Sequence, residues 1–177
     1  MSRYSGESEV RSAKVKQLSA WWHGLASADI PDRRDVDPAQ IKALLPYIVI
    51  SDVERAPFRI RYRLVGTKVV EATGFDFTHH YLDQLVPVES DEPWMQDYAF
   101  AYQHRSPVFG VSELTTKVGA QYAYEFALFP LRNGAATIDQ FIAIEDYFDF
   151  SRVARELDPW RPMGSPVLSD APIKRLG

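Results

Sequence analysis

Five stretches of this sequence have the alternating or β-branched composition of β-strands, and their order along the chain restricts the fold more than any other feature. The first two, Tyr47 to Val53 and Arg59 to Val65, are separated by a short turn at Arg55-Ala56-Pro57, which predicts a hairpin. Three more strands are predicted at Val108 to Val118, Tyr122 to Leu131 and Thr137 to Tyr147. Asn133-Gly134, between the last two, is a strong hairpin signal. Helical patterns separate the two groups, so the element order is that of an α+β domain.

Helices are predicted in the interval between the two groups of strands. Lys68 to Thr73 predicts a short helix closed by Gly74 as its C-cap, and Glu89 to His104 predicts a longer one. Between them, Phe75 to Pro87 predicts an irregular segment with at most one helical turn. Upstream, Asp37-Pro38 has the sequence of a helix start, because Asp is a favoured N-cap and Pro a favoured first helical residue.

An amphipathic helix is predicted ahead of the strands, from Ser8 to about Ala26. Its apolar face includes two adjacent tryptophans, and such a face needs a surface to cover. That surface is either the protein's own sheet or a second copy of the chain. In the second case, the residues expected at the dimer interface are Leu18, Trp21, Trp22 and Leu25.

Four short motifs are similar to those of a known family. They are Asp37-Pro38, Leu44-Leu45-Pro46, Arg61-Tyr62-Arg63-Leu64-Val65-Gly66-Thr67 and Gly74-Phe75-Asp76-Phe77-Thr78. In this order and spacing they resemble a bacterial PAS-domain family, known mostly from alphaproteobacterial genomes as short stand-alone proteins. The resemblance covers roughly Trp21 to Tyr147. At one position it fails, because His79 stands where the family pattern has glycine, and we expect the local turn to differ there.

The resemblance implies a PAS-like fold, in which a five-stranded antiparallel sheet has helices on one face. With the N-terminal amphipathic helix added, we expect three parts. Residues 1–28 form that helix, residues 29–150 form the PAS-like domain, and residues 151–177 form a proline-containing extended tail. A PAS domain binds its ligand between the inner face of the sheet and the helices, and a helix placed like the N-terminal one often serves dimerisation.

Aromatic residues dominate the positions expected to face that ligand space. Alternate residues of the strand from Tyr122 to Leu131 share one face, and the helix from Glu89 to His104 has aromatics at helical spacing. The ligand-binding candidates are Tyr62, Leu64, His79, Trp94, Tyr98, Tyr102, Tyr124 and Phe126. Alternatively, these side chains simply fill the core, since inward faces are normally apolar. The sequence specifies no ligand or cofactor.

Charge and composition exclude several classes of function. The net charge of -4 and the pI near 5.6 argue against a general nucleic-acid binder, which needs a basic face. Cysteine is absent, which excludes disulfides, thiolate metal sites, a flavin–cysteinyl photocycle and a thioester-linked chromophore. No apolar run is long enough to span a bilayer, so we expect a cytoplasmic protein without a membrane partner.

Histidines and carboxylates give only weak signals for metal binding or catalysis. His79-His80 is the most suggestive pair, but adjacent histidines chelate one metal poorly, and only Asp83 stands near them. A proton-transfer dyad would need a buried carboxylate such as Glu125 or Asp139 beside a histidine. Glu145-Asp146 is interpreted as a solvated strand end. We therefore predict neither a metal site nor catalytic residues.

Two hypotheses for function follow, with a third ranked below them. The first is a PAS-type sensory or regulatory module that binds a small apolar or aromatic ligand and signals through self-association or a separate partner protein. The second is a ligand-free protein–protein interaction module. The third is a small proton-transfer enzyme.

Overall fold

The computed structural model describes residues 2–25, 30–85, 93–115, 121–134 and 136–149, and within them the helices and strands follow the predicted order. The strands are β1 (Ser2–Arg3), β2 (Ile48–Arg55), β3 (Phe58–Val65), β4 (Val108–Thr115), β5 (Gln121–Arg132) and β6 (Ile138–Asp149). The α-helices are α1 (Ala13–Leu25), α2 (Thr67–Thr73), α3 (Leu82–Leu85) and α4 (Pro93–His104). Short 3-10 turns occur at Glu7–Glu9, Arg33–Asp35, Pro38–Ile41 and Leu45–Tyr47. The predicted tail, residues 151–177, lies outside the described residues.

The strands form an antiparallel sheet in the order β1-β4-β5-β6-β2-β3. Its last five strands in this order are the predicted ones, so the expected five-stranded antiparallel sheet is confirmed. β1 is an addition, in which Arg3 pairs with Gly110 at the outer edge of β4. A strand of two residues is too short to produce a recognisable alternation in the sequence.

Two of the sequence motifs meet where β3 ends. The backbone N–H of Gly66 donates to the carbonyl of Ile48 at 2.8 Å. A Cβ at this position would lie 2.3 Å from the backbone oxygen of Pro46, so only glycine allows the two segments to approach this closely. Gly74 ends α2 in the left-handed conformation, with a φ of 76°, as the C-cap prediction requires.

A β-bulge interrupts the pairing of β2 with β3. Ile50 pairs with Leu64, but the next residue, Ser51, pairs with Tyr62, so Arg63 is an extra residue on β3. A single inserted residue reverses which face the following side chains occupy. Tyr62 is accordingly buried, whereas Leu64 is 43% exposed. The prediction that Leu64 faces the ligand space with Tyr62 is therefore wrong.

Helices cover both faces of the sheet. On one face, α2, α3 and α4 pack over a cluster that includes Tyr62, Tyr98 and Tyr124. On the other face, α1 packs over a second cluster that includes Phe129 and Ile142. β5 contributes to both, because its alternate residues point to opposite faces.

The N-terminal helix covers the protein's own sheet. Leu18 is 0% and Trp22 is 3% exposed within one chain, and the indole Nε1 of Trp22 donates to the Pro130 carbonyl at 3.0 Å. These two predicted dimer-interface residues therefore belong to the core of a single chain. Trp21 and Leu25 are only half-buried. None of the described helices, α1 included, is long and apolar enough to cross a membrane.

Glu125 of β5 fixes the segment that leads into α1. Its carboxylate is 1% exposed and accepts the backbone N–H of Arg11 at 3.0 Å and the hydroxyl of Tyr4 at 2.7 Å. Ser12 also donates its backbone N–H to Glu125, and its own hydroxyl accepts from the N–H of Val15, as an N-cap does. The helix consequently begins at Ala13, later than the predicted Ser8.

Candidate ligand pocket between the sheet and helix α4

A small pocket lies between the sheet and α4. Its wall is mostly aromatic and consists of Tyr62 from β3, Tyr124 and Phe126 from β5, and Trp94 and Tyr98 from α4. The aliphatic side chains of Leu128 and Ala143 complete the apolar part. The free space within is about 20 Å³, which is room for roughly one water molecule.

The aromatic rings of the wall contact one another and two rings behind them, Tyr147 and Phe141. Tyr124 stacks on Tyr147 with centroids 4.7 Å apart, and Trp94 lies 6.0 Å from Tyr124. Tyr98 meets Phe141 edge to face at 5.1 Å. Contacts of this kind stabilise the fold beyond what the burial of apolar area contributes, so they help to fix the rings that line the pocket.

Asp97 is a buried carboxylate that faces the pocket from α4, with 3% of its surface exposed. The guanidinium of Arg3 donates from Nε to Oδ1 at 2.8 Å, which brings strand β1 to this site. In the described structure the other oxygen, Oδ2, has no hydrogen-bond partner. Burial raises the pKa of Asp97, and the hydrogen bond and charge of Arg3 oppose that rise only in part.

Glu145 is a second carboxylate in the same pocket. It accepts a short hydrogen bond from the hydroxyl of Tyr147, and none of the described residues forms an ion pair with it. Burial raises the pKa of Glu145 to about 7, against an ordinary value of 4.5. Glu145 is half-buried and lines the pocket, so the prediction of a solvated strand end at Glu145-Asp146 does not hold for Glu145. Asp146, on the opposite face of β6, instead pairs with Lys14 at 2.8 Å.

Tyr124 presents a buried hydroxyl that lacks a hydrogen bond in the described structure. Ser112 of β4 lowers the pKa of this hydroxyl, but the geometry between the two groups falls outside that of a hydrogen bond. Burial raises the pKa of Tyr124 well above its ordinary value, and the charge of Glu145 adds to that effect. The neighbouring Tyr98 hydroxyl has one long contact, 3.4 Å from Ser51 Oγ. Two polar atoms, Asp97 Oδ2 and Tyr124 Oη, are thus buried at this pocket without partners.

The predicted ligand-binding residues divide into two groups. Those that line the pocket are Tyr62, Trp94, Tyr98, Tyr124 and Phe126. Three others lie elsewhere. Leu64 is turned outward by the bulge, His79 is exposed, and Tyr102 packs against Phe58 with centroids 5.3 Å apart.

Two carboxylates that line the pocket were not predicted from the sequence, although the periodicity of their elements places them on the inward face. Asp97 lies three residues after Trp94 and one before Tyr98, on the same helical face. Glu145 continues the inward alternation of Phe141 and Ala143 along β6. The signal to look for is a charged residue at a position that helical or strand periodicity places on the inward face of its element.

The His79-His80 pair forms a turn beside β3. His79 has a φ of 72°, the left-handed conformation that glycine adopts most easily, and its N–H donates to the Tyr62 carbonyl at 2.7 Å. The backbone therefore has the geometry that suits the glycine of the family pattern, although histidine occupies it. No group of three or more potential ligands able to hold a metal occurs among the described residues.

Comparison with known proteins places the chain in a family. The model of the family described as PAS domain matches residues 10–144. The chain belongs to the PAS domain family. No curated protein matches the sequence.

A solved structure with a TM-score above 0.5 agrees with this assignment at the level of the fold. A light-oxygen-voltage domain studied with a flavin analogue has a TM-score of 0.51 and 16% identity, over 70% of this chain and 94% of that one. An RNA-binding light-oxygen-voltage receptor has a TM-score of 0.49 and 16% identity, over 88% of this chain but only 38% of the receptor. The Aureochrome1 LOV domain in its dark state has a TM-score of 0.49 and 11% identity, over 67% of this chain and 87% of that one. At 16% identity the likeness to the first of these structures concerns the fold alone.

Proposed function

We propose that this PAS domain is a sensory or regulatory module that admits a small ligand to the pocket between the sheet and α4. The observation that carries the proposal is the pair of unsatisfied buried atoms, Asp97 Oδ2 and Tyr124 Oη, at one small space. A buried polar group without a hydrogen bond costs about 1–3 kcal/mol. Two such groups at one pocket are understandable if a molecule from outside satisfies them.

The side chains that line the pocket determine which chemical groups such a ligand must carry. Aromatic faces such as those of Trp94 and Phe126 suit the apolar or aromatic ligand that the sequence predicts. Asp97 and Tyr124 add a requirement for a polar group on the ligand, placed where it meets their free oxygens. We therefore propose a small ligand with an apolar part and a hydrogen-bonding end.

The route for a signal is proposed to run through the N-terminal segment. Arg3 belongs to β1 and binds the same Asp97 that lines the pocket, so a ligand at Asp97 changes the electrostatic environment of this edge strand. Glu125 holds the residues that follow, up to the start of α1. The half-buried Trp21 and Leu25 on α1 are the residues we propose for contact with a second copy or a separate partner. We further propose a cytoplasmic protein of the bacterial type that the sequence motifs suggest.

A second candidate function is a ligand-free interaction module. The observation that favours it is the free space of about 20 Å³, because a single water could fill that volume and satisfy Asp97 Oδ2 and Tyr124 Oη. The proton-transfer enzyme has less support. Glu125 lies on the opposite face of the sheet beneath Tyr4, and Asp139 pairs with Arg55, so neither stands beside a histidine in this pocket.

Native mass spectrometry of the freshly purified protein tests the proposal. Extra mass that disappears on denaturation is expected for the wild type. The matched control is Ala143→Leu, which fills the pocket from β6 and should purify without that mass. A ligand-free wild type, in spectra recorded gently enough to retain weak complexes, would favour the interaction module instead.

A further inference from the structure

The charges at the pocket do not balance within the described residues. Asp97 and Glu145 supply two carboxylates, and Arg3 pairs with the first of them. No Lys, Arg or His lines the pocket among the described residues. When both carboxylates are ionised, the half-buried Glu145 carries a negative charge that no cation among the described residues pairs, and a charge withdrawn from water is costly unless it is paired.

The free hydrogen-bonding atoms are suited to a donor. Asp97 Oδ2 is a carboxylate oxygen and can only accept when ionised, and the Tyr124 hydroxyl can accept as well as donate. Glu145 accepts from Tyr147 and has further acceptor capacity. An alkylammonium group has up to three N–H donors and no acceptor, so these three side chains can satisfy it completely.

The size of the free space and the aromatic rings around it also suit an ammonium group. An ammonium head is about as large as the water molecule that the free space of about 20 Å³ can hold. Trp94, Tyr98 and Tyr62 line this space, and a cation over the face of an aromatic ring is attracted to it, more strongly when water is removed. A quaternary ammonium offers no N–H donor to these acceptors.

We infer that the pocket selects the primary ammonium group of a small organic amine, an inference that rests on the ligand-binding function proposed above. Glu145 and Asp97 Oδ2 accept from the ammonium, Tyr124 accepts the remaining N–H, and the aromatic wall covers the first carbons of the amine.

Ionisation of Glu145 makes the binding depend on pH. The charged and titratable groups around Glu145 are Tyr147 on its own strand, Tyr124 on β5, Tyr98 and Asp97 on α4, and Arg3 through Asp97. Burial raises the pKa of Glu145 to about 7 and raises the pKa of each of these tyrosines above its ordinary value. The amine binds the ionised carboxylate, so the affinity rises with pH and should be about tenfold higher at about pH 8 than at about pH 6.

Isothermal titration calorimetry on the intact wild-type chain tests the inference. The probes are n-propylammonium, its neutral counterpart propan-1-ol, the anion propionate, and tetramethylammonium. We expect n-propylammonium to bind at least about tenfold more tightly than any of the other three. Glu145→Gln should weaken that binding by about tenfold or more, because glutamine keeps the shape but removes the charge. Asp139→Asn removes a carboxylate on the same strand outside the pocket and should leave the affinity unchanged.

The outcomes separate this inference from the function on which it rests. If propan-1-ol or propionate binds as well as the amine, or if Glu145→Gln binds the amine unchanged, the pocket takes a ligand but the ammonium assignment is wrong. A neutral or anionic molecule in the native mass spectrum would lead to the same conclusion. If no probe binds and the native spectrum is ligand-free, both proposals fail.

Discussion

Replacing Glu145 with glutamine should change the stability little below about pH 4.5 and stabilise the protein by a growing amount as the pH rises to about 7. Glutamine has the shape of the protonated carboxylic acid, so it fits the same space on β6 beside Tyr147 without a charge. In the folded protein burial raises the pKa of Glu145 to about 7, whereas the ordinary value is 4.5. The folded protein therefore releases the proton of the Glu145 carboxyl group at a higher pH than the unfolded chain does.

The sign and size of the effect follow from that difference. Between the ordinary pKa of 4.5 and the folded value of about 7, the folded protein holds a proton on Glu145 that the unfolded chain has lost. Wild-type stability contributed by this group is thus complete below the lower value and is lost as pH rises through the upper one. At about 1.4 kcal/mol per pH unit, the loss is at most roughly 3 kcal/mol.

Urea unfolding followed by tryptophan fluorescence, at several pH values from about 5 to about 8, measures the effect. The free energy of unfolding of Glu145→Gln minus that of the wild type should be below about 1 kcal/mol at about pH 5 and grow to roughly 3 kcal/mol at about pH 8. Taking the difference between Glu145→Gln and the wild type cancels the contributions that other titrating groups, such as Asp97, make to the pH dependence. Asp139→Asn serves as control and should show no growing difference. A constant difference, or one that shrinks with rising pH, would refute the reasoning about Glu145.

Three further substitutions test the fold. Gly66→Ala should cost about 3 kcal/mol or more in urea unfolding, because its Cβ would lie 2.3 Å from the Pro46 oxygen, and a cost below about 1 kcal/mol would contradict the close approach. His79→Gly should raise the stability by about 1 kcal/mol, since φ is 72° there, and a loss of stability would mean that the imidazole makes a compensating contact. Trp22→Ala should cost about 3–5 kcal/mol, whereas the half-buried Trp21→Ala should cost far less and lower self-association in sedimentation experiments; equal costs would overturn the placement of α1.

The sequence predicted the fold well where local rules decide the structure. Alternation located β2 to β6 to within a few residues, and Gly74 marked the end of α2. Asp37 caps the turn Pro38–Ile41 as expected, although the turn is a short 3-10 helix and not a longer α-helix. These features depend on neighbouring residues, so their pattern is visible in one chain.

The candidate site was predicted only in part, because its details depend on distant contacts. The bulge at Arg63 follows from pairing with β2 and cannot be read from the alternation of β3, which is why Leu64 was misplaced. Glu145 was interpreted as solvated because an acidic pair at a strand end usually is. Likewise, an amphipathic helix does not reveal whether its partner is its own sheet or another chain.

A crystal structure of the protein, purified and crystallised without small-molecule additives, tests the central claim most directly. The decisive observation is the electron density beside Asp97 Oδ2 and Tyr124 Oη. We expect density larger than a water molecule, in contact with both atoms and with the ring of Trp94. A single water that hydrogen-bonds both atoms, with the surrounding rings closed around it, would contradict the ligand-binding function and favour a ligand-free interaction module.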